Sequence, residues 1–371
     1  MPRVPSVPPA SSAHDTATSD LRGAVSDVLD EYLRDQAAVL QEVSDDCAPI
    51  LEAISALLSG GKRLRPAFCY WGYQGVGGDL GDEGIVTAAA SLELFQAAAL
   101  IHDDVMDDSD TRRGQPAVHR RFASLHRQQG WDGSEDRFGL AGAVLAGDLC
   151  LGWSDESFSR ARLAPDSLDR GRRIFNVMRT QLMGGQYLDM LEQASSTQRG
   201  AAGAVDRARR VVTFKSAKYS IEHPLLLGGS LAGASTDLLA DYSRFGLALG
   251  EAFQLRDDVL GVYGDPTETG KPAGDDLREG KRTVLVGLAV QAATPAQAEQ
   301  VQRLLGSPDL DADGVEVLRQ VLVDTGALSG VEKIISEQVE VACATLDAAD
   351  VTEPARAALH ELVVAATSRR S

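Results

Sequence analysis

From Leu21 onward, apolar residues of this 371-residue chain return at the spacing of one helix face, and the prolines fall mostly beside Gly, Asp or charged residues where turns belong. The pattern predicts an all-α fold. Helices are expected over 21–43, 47–59, 65–75, 82–106, 139–161, 166–191, 202–219, 223–232, 235–262, 281–292, 295–305, 311–325, 328–346 and 353–368. The polar, Gly-containing stretch SLHRQQGWDGSEDRF, 124–138, reads as an exposed loop or insertion, with Trp131 capping a hydrophobic edge. The first twenty residues, rich in Pro, Ser, Ala and Thr, read as a disordered leader, which leaves 21–371 as the folded domain. No internal repeat is visible beyond the likeness of two helices that each end in paired aspartates.

Composition narrows the function without choosing it. A formal charge of −18 and the lack of a long basic stripe argue against nucleic acid as a partner. Cys47, Cys69, Cys150 and Cys343 are scattered with no CxxC pair, so neither a zinc site nor a disulfide framework is suggested. No uninterrupted apolar run of bilayer length is read, and the N-terminus lacks the layout of a signal peptide. A soluble cytoplasmic protein with reduced thiols and no integral membrane segment is expected.

The two aspartate pairs change the picture most. Asp103, Asp104 and Asp107 stand in LIHDDVMDDSDTRRGQP, and Asp257 and Asp258 in FQLRDDVLGVYGDP, about 150 residues later. Asp103 and Asp107 are four apart, so on a helix they share a face and can grip one hard cation through oxygen. Mg²⁺ suits such a site and completes its coordination with water and phosphate, which points to a phosphate or diphosphate substrate. A solvated acidic helix end is the plain alternative for either cluster alone. Basic residues follow both clusters: Arg112 and Arg113 after the first, Lys271, Lys281 and Arg282 after the second. A third basic group, Lys62, Arg63 and Arg65 in GGKRLRP, reads as a loop entering a helix and offers Lys62 and Arg65 to a second anion.

Taken together, these motifs resemble the all-trans isoprenyl diphosphate synthases, the polyprenyl synthetase family, and among them the bacterial geranylgeranyl diphosphate synthases. GGKRLRP, DDVMD with TRRGQP, Lys215-Ser216, FQLRDD and GKRT occur in the family's order between Gly60 and Thr283. The resemblance implies the isoprenoid synthase fold, a single-domain bundle of about a dozen helices around a central cavity, and a homodimer. It also implies Mg²⁺-dependent head-to-tail condensation of isopentenyl diphosphate with dimethylallyl, geranyl or farnesyl diphosphate, with three ions per site. Asp103, Asp104, Asp107, Asp257 and Asp258 match the family's metal positions. Arg112, Lys215, Lys271 and Lys281 match those around the allylic diphosphate, with Ser216 as a substrate-binding residue beside Lys215 and Gln254 one turn before the second aspartate pair on a shared helix face. Lys62, Arg65 and Arg113, with Gln96 where many relatives carry His, match those around isopentenyl diphosphate.

One departure stands out: the family's second motif commonly has a third Asp where this chain has Gly261. Asp265 lies too far along a helix to share its turn, while Asp275 and Asp276 could add to metal binding but read rather as solvated or lysine-paired in so polar a loop. His102 reads as a packing residue, because no second His sits at ligand spacing. One turn before Asp103 the sequence has Ala98 and Ala99, both small, which implies a deep tail pocket with Phe95, then Leu92, as its floor and a twenty-carbon product. A fifteen- or twenty-five-carbon product is the near alternative. A terpene cyclase would lack both GGKRLRP and the second Asp pair, and a catalytically silent subunit should have lost its metal-binding aspartates.

Overall fold

The computed structural model describes residues 12–79, 81–265 and 274–367, without the side chains of 12–20, 196 and 197. Among these residues the fold is all-α apart from one two-residue hairpin. The first helices are α1, Ser12–Val43, α2, Ala48–Leu58, α3, Leu64–Gln74, and α4, Glu83–Met106. A hairpin follows, Thr111–Arg112 paired with Gln115–Pro116, and its turn residues Arg113 and Gly114 both have positive φ, 54° and 72°. That is the backbone of a type I′ turn, whose twist matches the strands it joins.

The chain continues through α5, Val118–Gln129, α6, Glu135–Arg160, α7, Pro165–Arg199, and α8, Ala204–Val211. A π segment, Val212–Glu222, runs directly into α9, His223–Ala232. Its end is marked by the His223 N–H donating to the Lys218 carbonyl, five residues back. α10, Thr236–Tyr263, carries the second aspartate pair. The rest comprises α11, Asp275–Arg278, α12, Val284–Ala292, α13, Pro295–Leu304, α14, Ala312–Asp324, α15, Ala327–Ala348, and α16, Glu353–Thr367.

The helix starts follow from side-chain caps, which satisfy backbone N–H groups that have no partner within the helix. Asp82 accepts from Gly84 N at the head of α4, Ser134 from Arg137 N at α6, Ser235 from Leu238 N at α10, and Thr283 from Val286 N at α12. Thr294 and Gln297 form a capping box at α13.

α4 is the central element and packs against α1, α3 and α6. By length and composition it is apolar enough to cross a bilayer, contrary to the sequence expectation, but 72% of its most apolar window is buried inside the bundle. The main core joins α1, α2, α3, α4, α6, α10 and α16. A second core joins α8, α10 and α12 to α15. A third gathers Leu92, Phe95, Phe158, Phe175, Leu182 and Tyr219 under the C-terminal half of α4.

Three expectations need correction. The stretch 124–138 is largely helical: α5 runs to Gln129, Gly130 in the left-handed region ends it, and Ser134 starts α6. Trp131 does cap an apolar edge, its ring 5.2 Å from Phe138 and 5.9 Å from His126. Polarity misled there because α5 is a surface helix with one buried face, Val118, Phe122 and Ala123. The expected leader is also shorter, since α1 begins at Ser12; the prolines that suggested disorder end at Pro9, and residues 1–11 lie outside the described ones. The π segment replaces the second half of a helix expected over 202–219 and closes the gap before α9.

Candidate active site

A cavity of about 770 Å³ opens between the C-terminal end of α4, α7, the π segment and α10. Asp103 reaches it from α4, and Asp257 and Asp258 reach it from α10. Lys62, Arg65, Arg112, Arg113, Lys215, Lys281 and Arg282 bring positive charge to the same space. The two clusters and the three basic groups, scattered along the sequence, therefore face one volume. Lys271 lies outside the described residues.

Asp103 sits in a web of donors. Gln186 Nε2 donates to its Oδ1 at 2.9 Å and Lys215 Nζ at 3.1 Å, while Arg112 Nη2 stands 3.5 Å from Oδ2. Burial pushes this carboxyl up, but Lys215, Lys281 and Arg112 outweigh it and hold the pKa at about 2. Lys215 also donates to Asp189 at 2.6 Å, and it stays charged because these carboxylates overcome its desolvation. Lys215 is presented by the π segment, which α7 approaches so closely that a Cβ on Gly185 would lie 2.4 Å from the Lys215 nitrogen. Such π turns recur at functional sites because they redirect a side chain within a helix.

Asp107 caps α4, its N–H donating to the Asp103 carbonyl. Burial and the Asp103 charge raise its carboxyl to about 6 despite Lys281, and its Oδ2 accepts no hydrogen bond from the described residues. Asp104, expected among the metal ligands, is placed elsewhere: it is buried on the other side of the helix end, where Arg112 Nε donates to its Oδ1 at 2.8 Å and Nη2 joins it. On α10, Gln254 Nε2 donates to Asp258 Oδ1 at 2.8 Å, and Asp258 Oδ2 is another buried oxygen that accepts no hydrogen bond from the described residues. Burial, then the charge of Asp276, raises the Asp258 carboxyl to about 8. Lys281 stands 3.4 Å from Asp276 and 3.6 Å from Asp107, tying the two rims together.

The GGKRLRP loop forms the other flank. Arg63, in the left-handed region at φ 53°, pairs with buried Glu93 at 2.5 Å, and this pair lines the cavity together with Lys62 and Arg65. Arg113 Nη1 donates to the carbonyls of Leu57 and Gly60 at 2.9 and 2.8 Å. Arg65 donates to Ser220 Oγ at 2.7 Å and lies over the Tyr219 ring at 4.2 Å. Tyr219 lines the cavity as well, and its hydroxyl donates to Gln96 Oε1. Ser216 lines the cavity beside Lys215.

Of the four expected tail-pocket residues, only Ala99 lines the cavity. Phe95 and Leu92 lie beneath it on the same helix face, with Phe95 packed on Tyr219 at 5.6 Å and Phe175 at 6.2 Å between ring centroids. Ala98 packs into the main core instead, because one residue turns the helix by about 100°. His102 packs over Gly147, where a Cβ would sit 2.1 Å from its Nε2, and it also lines the cavity.

Sequence reasoning passed over Asp189, Glu93 and Glu279. Asp189 was within reach, since it follows Gln186 by three residues and so shares its helix face; Glu93 and Glu279 gain meaning only from their tertiary partners Arg63 and Lys281.

The donor set suits Mg²⁺: oxygen-only carboxylates with buried, unsatisfied oxygens on both rims, beside cations that suit a phosphate-bearing ligand. A model of the polyprenyl synthetase family matches residues 48–322. The chain belongs to the polyprenyl synthetase family. As a member it is a prenyltransferase of the trans-prenyl diphosphate synthase class. Its structure resembles that of a geranylgeranyl pyrophosphate synthase from Corynebacterium glutamicum complexed with isoprenyl diphosphate and magnesium, with 38% identity, a TM-score of 0.89 and coverage of 94% of this chain and 99% of that one. In sequence it is 29% identical to the geranylgeranyl diphosphate synthase of Mycobacterium tuberculosis, over 88% of this chain and 93% of that protein. It is 30% identical to the geranylfarnesyl diphosphate synthase of Aeropyrum pernix, over 82% and 87%.

Proposed function

We propose that this synthase joins isopentenyl diphosphate head to tail to dimethylallyl, geranyl and farnesyl diphosphates in turn and releases geranylgeranyl diphosphate. The observation that carries the reading is the layout of one cavity: acidic rims with Lys215, Lys281 and Arg112 at one end, a second cationic flank of Lys62, Arg65 and Arg113, and an apolar wall descending from Ala99.

Asp103, Asp107 and Asp257 would hold Mg²⁺, three ions in the full complex, and the ions supply Lewis-acid neutralisation of the diphosphate. Lys215, Lys281 and Arg112 place fixed positive charge where the leaving diphosphate gains negative charge, in a partly dry site where such charge counts for most. Gln254 and Ser216 orient groups on that side. Arg65, Arg113 and Lys62 hold the second diphosphate, with Arg65 fixed by Tyr219 and Ser220. The isopentenyl double bond then attacks the allylic cation, and the departed diphosphate takes the proton lost from the new chain, so no protein base is needed. Asp104 contributes by holding Arg112.

The depth from Asp103 to Phe95 is about 12 Å along the helix, which supports twenty carbons. A twenty-five-carbon product is the second reading, supported by the resemblance to the Aeropyrum enzyme. Exposed apolar residues on α6 and α7, among them Val144, Leu145, Tyr187 and Met190, support a homodimer, and light scattering should give twice 39.3 kDa. A cytoplasmic location is part of the proposal.

The test is mass spectrometry of products formed from isopentenyl diphosphate and each primer with Mg²⁺. A dominant twenty-carbon diphosphate supports the proposal; a shorter or longer one retains the class and discards the depth argument.

A further inference from the structure

The second aspartate motif lacks a carboxylate where its α10 helix would next present one, at Gly261. The space is not empty. A Cβ built on Gly261 would lie 1.9 Å from Asp276 Oδ2 and 2.5 Å from its Cγ, so the carboxyl group of Asp276 occupies the position from which a side chain at 261 would leave the helix. Asp276 comes from α11, on the far side of the segment 266–273 in sequence, and it lines the same cavity as Asp257 and Asp258. We infer that Asp276 replaces the missing third carboxylate of the α10 cluster and takes part in holding a divalent cation with the diphosphate.

Two observations support the assignment besides the overlap. Asp258 is only 6% exposed, lines the cavity and has an Oδ2 that accepts no hydrogen bond from the described residues, so a buried acceptor beside Asp276 lacks a donor. Leaving such a group unsatisfied is costly unless a cation meets it. Lys281 Nζ, at 3.4 Å, holds Asp276 toward the rim shared with Asp107 rather than out in solvent. The same overlap explains why position 261 is glycine: a side chain there and the present place of Asp276 exclude one another.

The inference rests on the diphosphate reading of the cavity, and the experiment separates the two. Mn²⁺ binding is titrated by electron paramagnetic resonance in the presence of inorganic diphosphate, for the wild type, Asp276→Asn, Gly261→Asp and the exchange Gly261→Asp/Asp276→Gly. The wild type should bind Mn²⁺ in a diphosphate-dependent manner; no such binding overturns both readings. Asp276→Asn keeps the shape and should weaken one Mn²⁺ site at least about tenfold. Gly261→Asp alone should lower the apparent melting temperature, because two carboxyl groups compete for one place. The exchange should recover the melting temperature and bring Mn²⁺ affinity to within about threefold of wild type. An unchanged titration in Asp276→Asn, or a folded exchange variant no better than Asp276→Asn, overturns the assignment.

Discussion

Asp104→Asn separates two roles that a DDxxD motif leaves merged. The side chain is 2% exposed, and its Oδ1 receives Nε of Arg112 at 2.8 Å as well as Nη2. A unit pair at that distance with an effective dielectric constant near 20 is worth about 6 kcal/mol. Asp103 remains 3.5 Å from Arg112 and takes up part of the loss, so the net cost should approach the roughly 3–5 kcal/mol typical of breaking a buried pair. For 371 residues the unfolding entropy makes each kcal/mol about 1.3 °C, so the apparent melting temperature without metal should fall by about 4–6 °C. Mn²⁺ affinity with diphosphate should stay within about threefold, whereas Asp257→Asn should weaken it tenfold or more without a comparable thermal loss. The reasoning is refuted if Asp104→Asn melts within about 1 °C of wild type and instead loses Mn²⁺.

Three further outcomes are expected. Ala99→Phe should shorten the product by filling the cavity wall, while Ala98→Phe should cost about 1–3 kcal/mol by overpacking the main core and leave product length alone, as read by mass spectrometry and urea unfolding. Gly185→Ala should destabilise by a similar amount and lower kcat, because its Cβ would strike the backbone that presents Lys215; an unchanged kcat would show that the π segment tolerates movement. Burial holds the His223 imidazole down at about 4, whereas the unfolded chain takes its proton near 6.5. The stability this residue contributes is thus fully present above pH 6.5 and is lost as the pH falls toward 4, on the order of 3 kcal/mol. His223→Asn should flatten that stretch of the stability profile, and an equal slope in both proteins would contradict it.

Much of the site was legible because its chemistry is written in local spacing. Asp103, Asp257, Lys62, Arg65, Arg112, Arg113, Lys215 and Lys281 all reach the cavity that their motifs imply. What spacing cannot show is which neighbour a carboxylate meets across the fold. Asp104 and Asp103 look alike in sequence, yet only Asp103 lines the cavity, where it also meets Lys215, while Asp104 is buried against Arg112. The same rotation separates Ala98 from Ala99. The role of Tyr219 is likewise invisible in sequence, since it depends on the placement of Arg65 above its ring and Gln96 beside its hydroxyl. The π segment carries no composition signal, and the close approach of Gly185 from α7 to it is visible only in the fold. Helices with an apolar face along most of their length, such as α4 and α10, were located within a residue or two, while α5 was missed because its polar surface dominates the sequence.

The central claim is that the two aspartate clusters jointly hold divalent ions on a single allylic diphosphate. Its most direct test is a crystal grown with Mn²⁺, isopentenyl diphosphate and a thiolo analogue of farnesyl diphosphate, with the ions located by anomalous scattering. The account predicts Mn²⁺ between Asp103 and Asp257, the analogue's diphosphate on Lys215, Lys281 and Arg112, and its tail running past Ala99 toward Phe95. Ions bound to one cluster alone, or a tail directed away from Ala99, would contradict it.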